Sequence, residues 1–348
     1  MSSSRGARRR PRPGRRVLWW ILSGVLVLVL AVGGGAWWYI SGLTGGIGHA
    51  KNVFDRSKLN GAGERPAADP AAGKAMNILM VGSDTRDGAT TGSEGKDGFK
   101  TALGNRTDTM ILMHVPSDRS AISSVSIPRD SWVPIPGHGE AKINAALSWG
   151  GPNLLVATVE NLTKVRVDHY VAVDFEGFKT TIDQLGGVDI TLDQALHDPQ
   201  QKVSFSKGRN HFDGATALKF VRQRHGLPRG DFDRVVHQQM LLSAVAGKVL
   251  SQGVLSHPLK TRELLGSMTN TMTVDDGFSL SGMAGLAGSL KGIKQTDLEF
   301  RTIPTTGTGW RQKQSVVLLD PTRDAQLFDA IRKDTAWPDA KPSETWTP

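Results

Sequence analysis

Short apolar runs alternate with amphipathic helical stretches between residues 76 and 333, and this alternation predicts an α/β layered domain. Two further features bound the architecture. Residues 76–82 (MNILMVG) are almost continuously apolar, as expected of a strand covered on both faces. Ahead of them, residues 17–40 carry no charge over 24 positions. As a helix this run reaches roughly 36 Å, enough to cross a hydrocarbon core of about 30 Å. The prediction is one transmembrane helix followed by an α/β domain.

The elements follow in order. Residues 1–16 form a basic tail with seven arginines (Arg5, Arg8, Arg9, Arg10, Arg12, Arg15 and Arg16) and no acid. Removing those seven from the net charge of +9 leaves only +2 for the rest of the 348-residue chain, so global charge gives no argument for a nucleic-acid partner. Arginines before the span and the single Lys51 after it orient the N-terminus to the cytoplasm and the remainder outside. Trp19 and Trp20 at one end, and Trp37, Trp38 and Tyr39 at the other, fit interfacial anchors. A cleaved signal peptide would have a shorter apolar core and a small-x-small site after it, which this run lacks. Residues 41–75 are rich in Gly, Ala and Pro without periodicity and read as a flexible tether.

Within the domain, expected over 76–335, strands are predicted at 76–82, 107–115, 121–127, 170–175, 188–192, 298–303 and 315–319. Helices are predicted at 142–147, 153–162, 178–185, 215–221, 232–250, 261–268, 280–290 and 323–333. Residues 336–348 read as a loose tail.

Several chemistries are set aside. With no cysteine there is no disulfide, thiolate metal site or cysteine nucleophile. There is no G-x-S-x-G elbow, no G-x-x-x-x-G-K-[ST] loop and no H-E-x-x-H helix, and the nine histidines lack metal-ligand spacing. What stands out is Arg and Asp gathered where predicted strands and helices end. The clusters are Asp84 with Arg86, Arg106 with Asp108, Arg129 with Asp130, and Arg222 and Arg224 followed by Arg234 and Gln238. In an extended segment Arg222 and Arg224 face the same way, and on a helix Arg234 and Gln238 share a face. Arginine's planar fork suits phosphate oxygens, and Mg²⁺ takes one or two carboxylates plus phosphate and water. Spacing alone leaves two readings open: a site for a phosphorylated ligand with a divalent cation, or ordinary salt bridges and caps.

The segments NILMVGSDTR, NRTDTMIL, SVSIPRDSWVPIPG, KINAALSWGGPN, TVENLTKVRVDHYVAVDFEGF, LGGVDITL, DGATALKFVRQRH and DFDRVVHQQ resemble, in order, the motifs of LytR-CpsA-Psr (LCP) proteins. The resemblance implies an α/β/α layered domain with a central mixed β-sheet. It also implies an envelope enzyme that moves a glycopolymer from a polyprenyl-pyrophosphate carrier to peptidoglycan, forming a phosphodiester. Carried over residue by residue, Asp84 and Asp108 match acids associated with Mg²⁺ (Mn²⁺ being the other candidate ion). Arg86, Arg106, Arg129, Arg222, Arg224, Arg234 and Gln238 match pyrophosphate-lining positions. Arg222, Arg224, Asp108 and Asp130 are the expected catalytic group, with Asp130 orienting Arg129. His237 departs from the family, many of whose members have a basic residue there. The other functions weighed are a pyrophosphatase using water as acceptor and a membrane-bound transcriptional attenuator, the latter disfavoured by topology.

Overall fold

The computed structural model describes residues 48–83, 107–223, 226–227, 230–268, 271–340 and 345–346. The basic tail and the span expected at 17–40 lie outside them. Among the described residues no helix is long and apolar enough to cross a membrane.

The strands are β1 (Gly48–Ala50), β2 (Met76–Ser83), β3 (Thr107–Val115), β4 (Ile122–Ser126), β5 (Trp132–Ile135), β6 (Gly139–Lys142), β7 (His169–Asp174), β8 (Val188–Leu192), β9 (Leu196–Asp198), β10 (Val203–Phe205), β11 (Gly208–Phe212), β12 (Met272–Asp275), β13 (Leu298–Thr302), β14 (Thr305–Arg311), β15 (Gln314–Leu319) and β16 (Thr345–Trp346). The α-helices are α1 (Asn144–Thr163), α2 (Phe175–Gln184), α3 (Gly214–Val221), α4 (Asp231–Ser251), α5 (Pro258–Met268), α6 (Leu280–Ser289) and α7 (Pro321–Lys333). The central sheet has the order β1-β12-β7-β2-β3-β4-β13-β16. It is mixed: β2, β4, β7 and β13 run one way, while β1, β3, β12 and β16 run the other.

Strand alternation explains why the sheet is covered on both sides. On β3, Met110 and Leu112 join a core with Leu154 and Val159 of α1 and Leu327 and Phe328 of α7. Met113 and Val115 of the same strand join a second core with Leu242 and Ala246 of α4 and Leu286 of α6. The result is helices, sheet, helices. A third apolar cluster gathers α2, α3 and Leu241 around β8 to β11.

Helix starts follow local sequence. Asp174, Asp213 and Asp320 cap α2, α3 and α7, accepting backbone N–H donors from Gly177 (2.7 Å), Thr216 (2.7 Å) and Arg323 (3.2 Å). The two helices expected at 142–147 and 153–162 form the single α1, bent at Gly150 and Gly151, where Gly151 has φ 68° and ψ −164°. Pro152 follows the bend, where its missing N–H costs no helical bond.

Two expectations are corrected. Residues 48–75 do not behave as a free tether: β1 extends the sheet beside β12, and Ala50, Val53 and Ala62 are buried. The reason is charge pairing as well as apolar burial. Arg56 and Arg65 reach the fully buried Glu160 of α1 at 2.7 and 2.8 Å, and Glu160 also accepts the Val167 N–H. The tail beyond 335 is not loose either, because Trp337 packs on the main core under the Arg301 guanidinium and β16 pairs with β13.

Candidate functional site

The direction of the strands decides where the polar clusters meet. The C-terminal ends of β2, β4, β7 and β13 and the N-terminal end of β3 share one edge: Ser83 pairs with Thr107 and with Asp174, and Ser126 pairs with Thr302. Open α/β sheets bind ligands along such an edge.

Arg129 and Asp130 leave β4 directly onto it. Their backbone is held from three sides: Ser131 N–H donates to Pro128, Asn144 N–H to Arg129 and Val317 N–H to Asp130. The Asp130 carboxylate lies 3.7 Å from Arg129 Nε and 3.1 Å from Lys142 Nζ. Asp130 therefore stands beside Arg129 and is shared with Lys142. Sequence reading missed Lys142; the only signal was a lysine in the segment that leads into α1, and only the β5–β6 hairpin reveals its proximity.

Arg222 caps the C-terminus of α3, and its guanidinium carbon stacks 4.5 Å over the Phe175 ring. Phe175 follows Asp174, so the stack places Arg222 at the end of β7, beside β2. The extended geometry expected from Arg222 to Arg224 is not met at Arg222, whose backbone is helical (φ −96°, ψ −1°). The fully buried Gln223 follows it.

Helix α4 supplies Arg234 and Gln238, both buried and one turn apart on one face. Gln239 fixes this helix to the edge: its Nε2 donates to Ser126 Oγ (3.1 Å) and Thr302 Oγ1 (3.3 Å). His237 stacks on Phe220 of α3, with ring centroids 4.4 Å apart. Burial lowers its pKa to about 4, so it is neutral near pH 7 and adds no cation to the edge. Its part is to join α4 to the helix that ends in Arg222. Asp174 is a further acid at this edge; burial pushes its carboxyl above the ordinary range, although the Gly177 N–H partly offsets this.

The structure thus brings Arg129, Asp130, Arg222, Arg234 and Gln238 to one side of the sheet. Asp108 is the second residue of β3, next to the paired Ser83 and Thr107, and only its backbone is described. Asp84, Arg86, Arg106 and Arg224 lie outside the described residues. Among the described residues no group of three or more His, Asp or Glu could hold a metal ion.

Comparison with known proteins adds independent findings. Residues 47–333 match the model of the LytR_cpsA_psr family. The chain is 35% identical over 277 residues to the probable cell wall biosynthesis protein LcpB of Corynebacterium glutamicum, covering 79% of this chain and 66% of that one. It is 32% identical over 342 residues to LcpA of the same organism, covering 88% and 64%. The chain therefore spans a little under two thirds of those two relatives' length. It is 34% identical over 237 residues to the polyisoprenyl-teichoic acid–peptidoglycan teichoic acid transferase TagU of Bacillus cereus, covering 67% and 71%. Among solved structures, TagT bound to LI-WTA superposes with a TM-score of 0.61 at 23% identity, covering 82% of this chain and 99% of that one. This last likeness concerns the fold.

Proposed function

The chain belongs to the LytR-CpsA-Psr family of cell-wall proteins, and from that premise we propose that it transfers a glycopolymer from a polyprenyl-pyrophosphate carrier to peptidoglycan. The observation that carries this reading is the gathering of Arg129, Arg222, Arg234 and Gln238 along the edge where β2, β4 and β7 end. A surface scatter of salt bridges would not need two of these side chains buried together on one helix face.

In the proposed reaction an acceptor hydroxyl attacks the glycan-side phosphorus, a P–O bond forms, and the pyrophosphate bridge breaks to release polyprenyl monophosphate. Negative charge grows on the leaving phosphate, and fixed cations stabilise it more than the ground state. Arg222 is held with its guanidinium carbon over the Phe175 ring, and its planar fork of N–H donors suits a phosphate oxygen pair. Each such charge-assisted bond contributes about 1.5–3 kcal/mol. Asp130 holds Arg129 in place, and Gln239 holds the helix that carries Arg234 and Gln238.

Asp84 and Asp108 are hard oxygen donors of the kind Mg²⁺ or Mn²⁺ takes, and they would hold the ion. Bound there, the ion would neutralise charge on the leaving phosphate. The topology proposed with this function is a single-pass anchor at residues 17–40 with the domain outside the membrane.

The test is Arg222→Ala. Transfer of labelled glycan to peptidoglycan should fall by about 100-fold or more, the loss of roughly 2.7 kcal/mol of transition-state stabilisation, at an unchanged melting temperature. A native rate in that variant would remove Arg222 from the mechanism and with it the geometric basis of the reading.

A further inference from the structure

A second site lies beside the first. The β5–β6 hairpin, the β14–β15 hairpin, the end of α1 and the outer face of α7 enclose a groove of about 770 Å³, within the range of ligand clefts. It opens at the catalytic edge, because Thr306 lines it close to where β13 ends and Trp132 lines it two residues after Asp130. Both Pro321 and Arg332 of α7 also line it, eleven helical rises apart, so the groove runs for about 16 Å. It runs away from the edge: Asp334, just past α7, accepts the N–H of Ser117, which follows the opposite end of β3.

Its lining has two characters. Trp132 presents ring surface, while Arg311 and Lys164 bring cations beside the acids Glu140 and Asp324; Arg332 lines it too but is paired with Asp329. Arg311 and Lys164 are exposed, one at the tip of β14 and one at the C-cap of α1. A polymer of sugar rings bearing carboxylates matches this lining: ring faces stack on aromatic side chains and carboxylates pair with the cations.

Resting on the transferase reading, we infer that this groove is the acceptor subsite. It takes a peptidoglycan strand, with carboxylates of its peptide stems toward Arg311 and Lys164 and its sugars toward Trp132. The strand's hydroxyl then arrives at the edge held by Arg129 and Asp130.

The experiment uses the full chain in detergent with two probes: purified sacculi stripped of secondary polymers, and a labelled polyprenyl-pyrophosphoryl oligosaccharide. Arg311→Glu and, separately, Lys164→Glu at the far end should each lower co-sedimentation with sacculi by about tenfold. Each should raise the KM for acceptor strands by a similar factor, with kcat and donor binding unchanged. Trp132→Ala should act in the same direction. Native sedimentation and native acceptor KM in all three variants would overturn the groove assignment while transfer by the native chain stood. Loss of binding to anionic vesicles, with binding to sacculi retained, would also overturn it by making the surface a membrane contact. Absence of donor binding and transfer in the native chain would instead overturn the transferase reading itself.

Discussion

His237 has its pKa lowered from 6.5 to about 4 because it is buried against Phe220. The unfolded chain therefore binds a proton between pH 6.5 and 4 that the folded chain does not. Stability is whole above pH 6.5 and falls as pH drops through that window, by up to about 3 kcal/mol. His237→Gln should remove about one proton from the pH dependence of denaturant unfolding between pH 4 and 6.5. An unchanged slope would show that His237 is not the group responsible. Asp130 makes a different prediction. Asp130→Asn keeps the shape but takes away the charge shared by Arg129 and Lys142, so transfer should fall about tenfold, roughly 1.4 kcal/mol, with little change in melting temperature. At this scale the sequence named Arg129, Asp130, Arg222, Arg234 and Gln238. It did not name Lys142, Phe175 or Phe220, because each acts only through a contact across the chain that spacing does not encode.

At the scale of the element, periodicity located the strands at 107–115 and 188–192 and the long helix α4 because each has a strong pattern of its own. Short strands such as β1, β12 and β16 were not legible. Their residues are ordinary in isolation and become strands by pairing with β12, β7 and β13. The bend in α1 was read as a gap between two helices, since Gly150, Gly151 and Pro152 look like a break. Gly151 takes a conformation open almost only to glycine, so Gly151→Ala should cost about 1–3 kcal/mol in equilibrium unfolding. The misread tether has the same origin: a low-complexity segment is fixed by distant charge, with Arg56 and Arg65 on Glu160. Glu160→Ala leaves two partly buried arginines without their carboxylate and should cost about 3–5 kcal/mol. A change below about 1 kcal/mol would show that this triad does not hold residues 48–75 in place.

For the whole molecule, β2, β4, β7 and β13 end on one edge, so polar residues as distant in the chain as Arg129 and Gln238 meet there. The order of those clusters was visible in the sequence, but their convergence depends on sheet order, which only the fold supplies. The proposed function is that this edge passes a glycan from a lipid pyrophosphate to peptidoglycan. Its most direct test supplies the full chain with a lipid-linked pyrophosphoryl oligosaccharide, Mg²⁺ and sacculi, with and without chelator, and with and without acceptor. The prediction is label on the sacculi only when both metal and acceptor are present. Free glycan phosphate released at the same rate without acceptor would contradict it and make the protein a hydrolase.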